Sequence, residues 1–239
     1  MMPSGRGTIR QTGCNQEGNG MVQAQIEPET VSVGRPALEG YLRVPEAPIG
    51  LVIFAHGAGS SHRSPRNNRV AEALGRRGIA TLLFDLLTEE EALDRRNVFD
   101  IPLLSERLIE AVDWALSQPE LAALPVGLFG SSTGAGAALV AAAHGPARFA
   151  AVVSRGGRPD LAGEALRSVR APVLLIVGGL DHVVIDLNAT AAEQLLCPNQ
   201  TEIVPGATHL FEEPGTLDQV MDLAGTWFEK KFLQAGAGG

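Results

Sequence analysis

Uninterrupted apolar runs recur along this chain, and between them lie segments whose apolar residues return at helical spacing. The run "GLVIFAHG" reads as a strand covered on both faces, and "NNRVAEALGRRG" follows it as a helix with Val70, Ala73 and Leu74 on one side and a glycine stop at Gly78. The cycle repeats with strand "IATLLFD" and a helix over about 102–117, then strand "PVGLFG", a helix over about 134–143 and strand "FAAVVS". It repeats again with strand "PVLLIVGG", helix "NATAAEQLL", strand "TEIVPG" and a last helix through "LDQVMDLAGTWFEKKFL". Ahead of the cycle, "MVQAQI" and "LEGYLRV" read as half-buried strands of an opening antiparallel pair. Strands alternating with helices predict a mostly parallel sheet of about eight strands with helices on both faces.

No linker divides the cycle, so residues 21–233 are expected to form a single α/β domain. Residues 1–20 have little to bury and are expected to be a disordered tail, with 234–239 a flexible one. The first residues lack the apolar core of a secretory signal, and no run approaches the length of a membrane span; a soluble, cytoplasmic protein without a membrane partner is expected. A formal charge of -8, from 19 basic and 27 acidic residues, argues against nucleic acid as a partner, because phosphate capture needs clustered cations. Cys14 and Cys197 read as free thiols, and no spacing of His and Cys suggests a metal site.

In open sheets of this kind ligands gather where the strands end. After "PVGLF" comes Gly130-Ser131-Ser132-Thr133-Gly134, a GxSxG pattern centred on Ser132. A nucleophile on a sharp strand-to-helix turn has a strained backbone that lifts its hydroxyl beyond the sheet and leaves no room for side chains two residues away. The N-terminus of the following helix adds free N–H groups and partial positive charge where an anion would develop. No lysine follows the turn, as one would in a nucleotide-binding loop.

A serine hydroxyl needs a general base, and the base needs an orienting carboxylate. His209, in "GATHLFEE", and Asp181, in "GGLDHVV", both follow apolar strands and complete the chain order Ser, Asp, His. Asp186 is the rival acid, and Asp85 reads as a turn former. His56 reads as a structural histidine, His62 and His144 as surface or helix-end residues, and His182 as a neighbour of the acid. For the oxyanion hole the expected donors are the N–H of Thr133, next to the nucleophile, and that of Ala58 in "HGAGSS".

With Ser132, Asp181, His209 and "HGAG" in place, the chain resembles the α/β-hydrolase superfamily and, within it, the dienelactone hydrolase-like proteins. The resemblance runs from about Val22 to Leu233, and "HGAGSSHRSPRNNRVAEAL", "ATLLFDLLTEEE", "VVSRGGRPDLAG" and "GATHLFEEPG" are similar to stretches of bacterial members. It implies the α/β-hydrolase fold and hydrolysis through an acyl-enzyme without metal or organic cofactor. Some members carry a phosphoribosyltransferase domain on the same chain, and none is expected here. Dienelactone hydrolases proper use a cysteine nucleophile; Ser132 in its place favours a serine esterase.

About eighteen residues separate "FAAVVS" from "PVLLIVGG", too few for a large lid domain, so the cleft should admit small or medium esters. The segment "LLTEEEALDRRNVFDIP" is the longest irregular piece and a candidate to overhang it. Arg155 and Arg158 are candidates to bind a substrate carboxylate, or else form a surface pair balanced by Asp160 and Glu164. A serine peptidase or amidase would share the same triad, and a binding protein without turnover would share the same fold.

Overall fold

The structure, a computed structural model, describes residues 26–145 and 148–237. Its strands are β1 (Glu29–Val33), β2 (Leu38–Arg43), β3 (Gly50–Ala55), β4 (Ile79–Phe84), β5 (Val126–Ser131), β6 (Ala151–Arg155), β7 (Val173–Gly178) and β8 (Asn199–Val204). They form one sheet in the order β1-β2-β4-β3-β5-β6-β7-β8. The pairs β1–β2 and β2–β4 are antiparallel and the rest parallel, the mostly parallel sheet that the alternation of runs predicts.

Period-two alternation with both faces covered explains why the central strands β3, β4 and β5 are buried along their whole length. In β3, Leu51, Ile53 and Ala55 join one core layer while Val52 and Phe54 join the other, and in β5 Leu128 and Phe129 divide in the same way. The first layer is closed by α3 (Ile101–Leu116), α4 (Thr133–His144) and α5 (His182–Gln194); the second by α1 (Pro65–Arg76) and α6 (Thr216–Gly236). Phe54 and Phe129 pack with ring centroids 4.8 Å apart on the α6 side, where Phe228 and Phe232 are also fully buried.

Four expectations need correction. The partner of β2 is Glu29–Val33, which holds Thr30, Val31 and Val33 in strand and joins β2 through a four-residue turn over 34–37. Of "MVQAQI" only Ile26 falls within the described residues, and it lies outside the strand. Helix α5 begins at His182, well before "NATAAEQLL". The long segment after β4 is partly ordered: α2 (Glu89–Ala92) is capped by Thr88, whose side chain accepts from the Glu91 N–H while the Glu91 carboxylate accepts from the Thr88 N–H. At the far end α6 runs to Gly236, past the boundary expected at 233, while residues 1–20 lie outside those described. Among the described residues, no helix is long and apolar enough to cross a membrane.

The parallel register brings five strand ends to one edge. Ala55 pairs with Gly130, Ser131 with Arg155, and Gly178 with Val204. Whatever follows β3, β5, β6, β7 and β8 is therefore delivered to the same rim.

Candidate active site

Ser132 occupies the turn from β5 into α4 with φ 51° and ψ -124°, a backbone conformation that a residue with a side chain rarely adopts. The turn is held by hydrogen bonds on both sides. The Ser132 carbonyl accepts from the N–H of Ala135 at 3.1 Å and of Arg158 at 3.0 Å, and the Ser132 N–H donates to the Arg155 carbonyl at 3.4 Å. Its glycines make room in two different directions. A Cβ on Gly130 would run into the first turn of α4 at Ala135, and one on Gly134 would run into the carbonyl oxygens of Ala55 and His56 at the end of β3. Backbone cannot yield as a flexible side chain would, so Gly134→Ala is expected to destabilise the fold by about 3 kcal/mol. Urea unfolding checks this; a change below about 0.5 kcal/mol would mean that the helix entry is looser than drawn.

On the same rim, the imidazole of His209 donates from Nδ1 to Oδ2 of Asp181 at 2.7 Å. A carboxylate only accepts, so Nδ1 carries the proton and Nε2 is left with a free lone pair. Asp181 stands just before α5, with no capping bond from its side chain, and His209 sits in the loop before α6; the loops are tied together by the Leu180 N–H, which donates to the Ala207 carbonyl at 2.9 Å. Asp186 is exposed one turn into α5 and does not meet the imidazole. Ser132 and His209 line one cavity of about 540 Å³, together with the loop from Gly57 to Ser61, the start of α1, Arg155 and Leu210. Among the described residues no hydrogen bond joins the Ser132 hydroxyl to the imidazole; in free enzymes such bonds are often long or poorly aligned and tighten on substrate.

The two expected oxyanion donors are neighbours but not equally free. Thr133 is the first residue of α4, so its N–H has no intrahelical acceptor. The Ala58 N–H is engaged, donating to Oγ1 of Thr133 at 3.0 Å. This contact spans 75 positions of sequence, beyond the reach of local pattern reading. His56, half-buried, is tied to both sides of this loop. Its Nε2 accepts from the Leu86 N–H at 3.1 Å, which leaves Nδ1 as the protonated nitrogen facing the Gly57 carbonyl at 3.0 Å. Burial pushes its pKa below the ordinary 6.5, so the ring is neutral and structural, as expected from sequence.

His62 is not the surface residue that its polar neighbourhood suggests. It is 3% exposed, its backbone N–H and Nδ1 both meet the Asp85 carboxylate at 2.7 and 2.9 Å, and Tyr41 lies edge-on to its ring. Asp85 therefore clamps the loop after β3 to the end of β4 instead of merely forming a turn. Glu39, His62 and Asp85 bring their ligand atoms within 4.8 Å of one another, but Nε2 of His62 accepts from Arg63 and Glu39 pairs with the same arginine, so the group is satisfied internally.

Arg155 and Arg158, alike in sequence, part company here. Arg158 forms a two-pronged bond to Asp160 at 2.8 and 2.7 Å, which raises its pKa, and it does not line the cavity. Arg155 does line it, is 8% exposed, and has no carboxylate partner among the described residues; burial, with Arg66 nearby, pushes its pKa down to about 10. The surface-pair reading thus fails for Arg155, because of the two candidate acids Asp160 pairs with Arg158 and Glu164 with Arg167. No residue of the segment over 86–102 lines this cavity; Leu86, Leu87 and Val98 instead line a small void of about 10 Å³ together with His56, Ala58 and Thr133.

The same architecture recurs in known proteins. A dienelactone hydrolase of Anabaena variabilis is 54% identical, with a TM-score of 0.81 over 86% of this chain and 98% of that one. The esterase domain of a Rhodothermus marinus protein, at 22% identity, shares the fold with a TM-score of 0.68 over 87% of this chain and 99% of the other. A Mycobacterium tuberculosis protein named "Putative phosphoribosyl transferase" is 56% identical over 226 residues, which are 92% of this chain and 51% of that protein. The chain thus spans about half the length of the curated relatives it matches. Residues 48–223 match the family model described as an alpha/beta hydrolase domain. With the sheet order, the turn at Ser132 and this match in agreement, the chain belongs to the α/β-hydrolase family.

Proposed function

We propose that the protein is a serine hydrolase that cleaves carboxylic esters of small or medium size through an acyl-serine intermediate. The observation that carries the reading is the placement of a strained Ser132 and a carboxylate-bound His209 on one cavity. In the proposed cycle Nε2 of His209 takes the Ser132 proton as Oγ bonds to the ester carbonyl carbon, and Asp181 stabilises the imidazolium that forms. The C–O bond to the alcohol then breaks and the alcohol leaves with that proton. Water, deprotonated by the same nitrogen, attacks the acyl-serine, and Oγ departs with the proton restored. The carbonyl oxygen becomes an anion in both halves and accepts from the Thr133 and Ala58 N–H groups, typically about 2.7–4 kcal/mol per donor. For Ala58 this requires the Thr133 hydroxyl to give way, which a rotation about one side-chain bond achieves.

Every group in this scheme is a side chain or backbone N–H of the chain itself. The dienelactone hydrolase and esterase names of the similar structures support the choice of ester chemistry. The transferase name belongs to relatives about twice as long. The test is turnover of p-nitrophenyl esters of graded chain length beside aminoacyl anilides. Faster ester cleavage, best for short acyl chains, is expected. Anilide cleavage that outpaces it would make the protein an amidase or peptidase.

A further inference from the structure

The cavity around Ser132 is a cationic place in an acidic protein. The chain has a formal charge of -8, yet Arg63, Arg66 and Arg155 line this cavity, and no Asp or Glu does among the described residues. Two of the three arginines are engaged: Arg63 pairs with Glu39 at 3.0 Å and Arg66 with Glu212 at 2.8 Å, both at the solvent-facing side. Arg155 is different. Its Nε and Nη1 are buried without a hydrogen-bond partner among the described residues, and Arg66, which lines the same cavity, repels it.

An unpaired buried guanidinium is a costly feature unless something anionic joins it. The structure also supplies a second source of positive potential. Ser64, Pro65 and Arg66, the cap and first turn of the 12-residue helix α1, line the same cavity, so the positive end of the helix dipole faces it. The reacting atom is close by. Arg155 ends β6 in register with Ser131, one residue from the nucleophile, and its carbonyl accepts the Ser132 N–H. Ser132 and Arg155 line one cavity of about 540 Å³, so an anion held by Arg155 and the carbonyl attacked by Ser132 fit within one small molecule.

We propose that Arg155, backed by Arg66 and the N-terminus of α1, forms an anion subsite that selects esters carrying an oxyanion, carboxylate or phosphate, a few bonds from the carbonyl that Ser132 attacks. This substrate class rests on the ester-hydrolase reading of Ser132. The guanidinium presents planar, paired donors to such a group and is charged throughout the neutral range. Arg158, held by Asp160, takes no part.

The experiment measures kcat/KM on three p-nitrophenyl esters of equal acyl length, ending in methyl, carboxylate or phosphate, with wild type, Arg155→Met and Arg66→Gln. One anionic ester should be preferred by the wild type over the neutral ester, and which one identifies the oxyanion. In Arg155→Met the ratio of anionic to neutral kcat/KM should fall roughly 10- to 100-fold, chiefly through KM, and in Arg66→Gln by a smaller factor. Ratios unchanged in both variants, or no anionic preference in the wild type, would overturn the subsite. Should Arg155→Met fail to fold, the ratio in Arg66→Gln decides in the same way. If no ester is turned over, calorimetric titration of wild type and Arg66→Gln with glutarate and inorganic phosphate separates the two claims. Binding weakened by the substitution keeps the subsite and removes the hydrolase reading, whereas binding absent or unaffected removes the subsite.

Discussion

Replacing Ser132 by alanine is expected to lower kcat for ester hydrolysis by about 10⁶-fold while leaving the fold intact. The nucleophile and its base act as one unit in such sites, so loss of either removes nearly all of the acceleration that both provide. What survives is the contribution of the cavity and its N–H donors, which bind and polarise the ester without attacking it, worth about 10³–10⁴ over water. Alanine takes the same space on the turn, and Ser132 makes only backbone hydrogen bonds there, so the circular dichroism spectrum and melting temperature should match the wild type. His209→Ala should be impaired to a similar degree, and the double variant should be hardly worse than either. A residual rate above about 1% of wild type in Ser132→Ala would place the nucleophile elsewhere.

Asp181→Asn is expected to lower kcat by about 10⁴-fold, although the side chain keeps its shape. The reason lies in which nitrogen of His209 carries the proton. The carboxylate can only accept, so it fixes the proton on Nδ1 and keeps Nε2 basic at the 2.7 Å contact. An amide can turn its NH₂ toward the ring and donate, which moves the imidazole proton to Nε2, where it faces the serine and cannot take another. The neutral amide also gives up the charge that stabilises the imidazolium. Asp186→Asn, on the exposed side of α5, provides the comparison and should retain near-wild-type rates. Equal rates in the two variants would show that the Asp181 contact is structural.

The parts of the site that were legible in the sequence are those set by strand ends. A continuous apolar run followed by small residues marks where β3, β5 and β7 stop, the pair Ile203-Val204 before Pro205-Gly206 marks the end of the otherwise polar β8, and parallel register brings those stops together, so Ser132, Asp181 and His209 stand out as candidates. The start of α5 was not legible, because "HVVID" is rich in β-branched residues that favour strand, and the Asp181 side chain before it is taken up by His209 and gives no capping bond. The burial of His62 depends on Tyr41 and Asp85, both about twenty residues away, and nothing in "SSHRS" signals either. Arg155 and Arg158 differ for a similar reason. The partner of Arg158 is two residues along the chain, whereas the isolation of Arg155 is a fact of three-dimensional packing.

Reaction of the folded protein with a fluorophosphonate, followed by peptide mass mapping, asks most directly whether Ser132 is an activated nucleophile. Such a reagent captures a hydroxyl only when a base withdraws its proton and N–H donors receive the phosphonyl oxygen. A stoichiometric adduct on Ser132 that is lost in His209→Ala is the predicted result. A folded protein that takes no label, or takes it on Ser131 or another serine, would contradict the assignment.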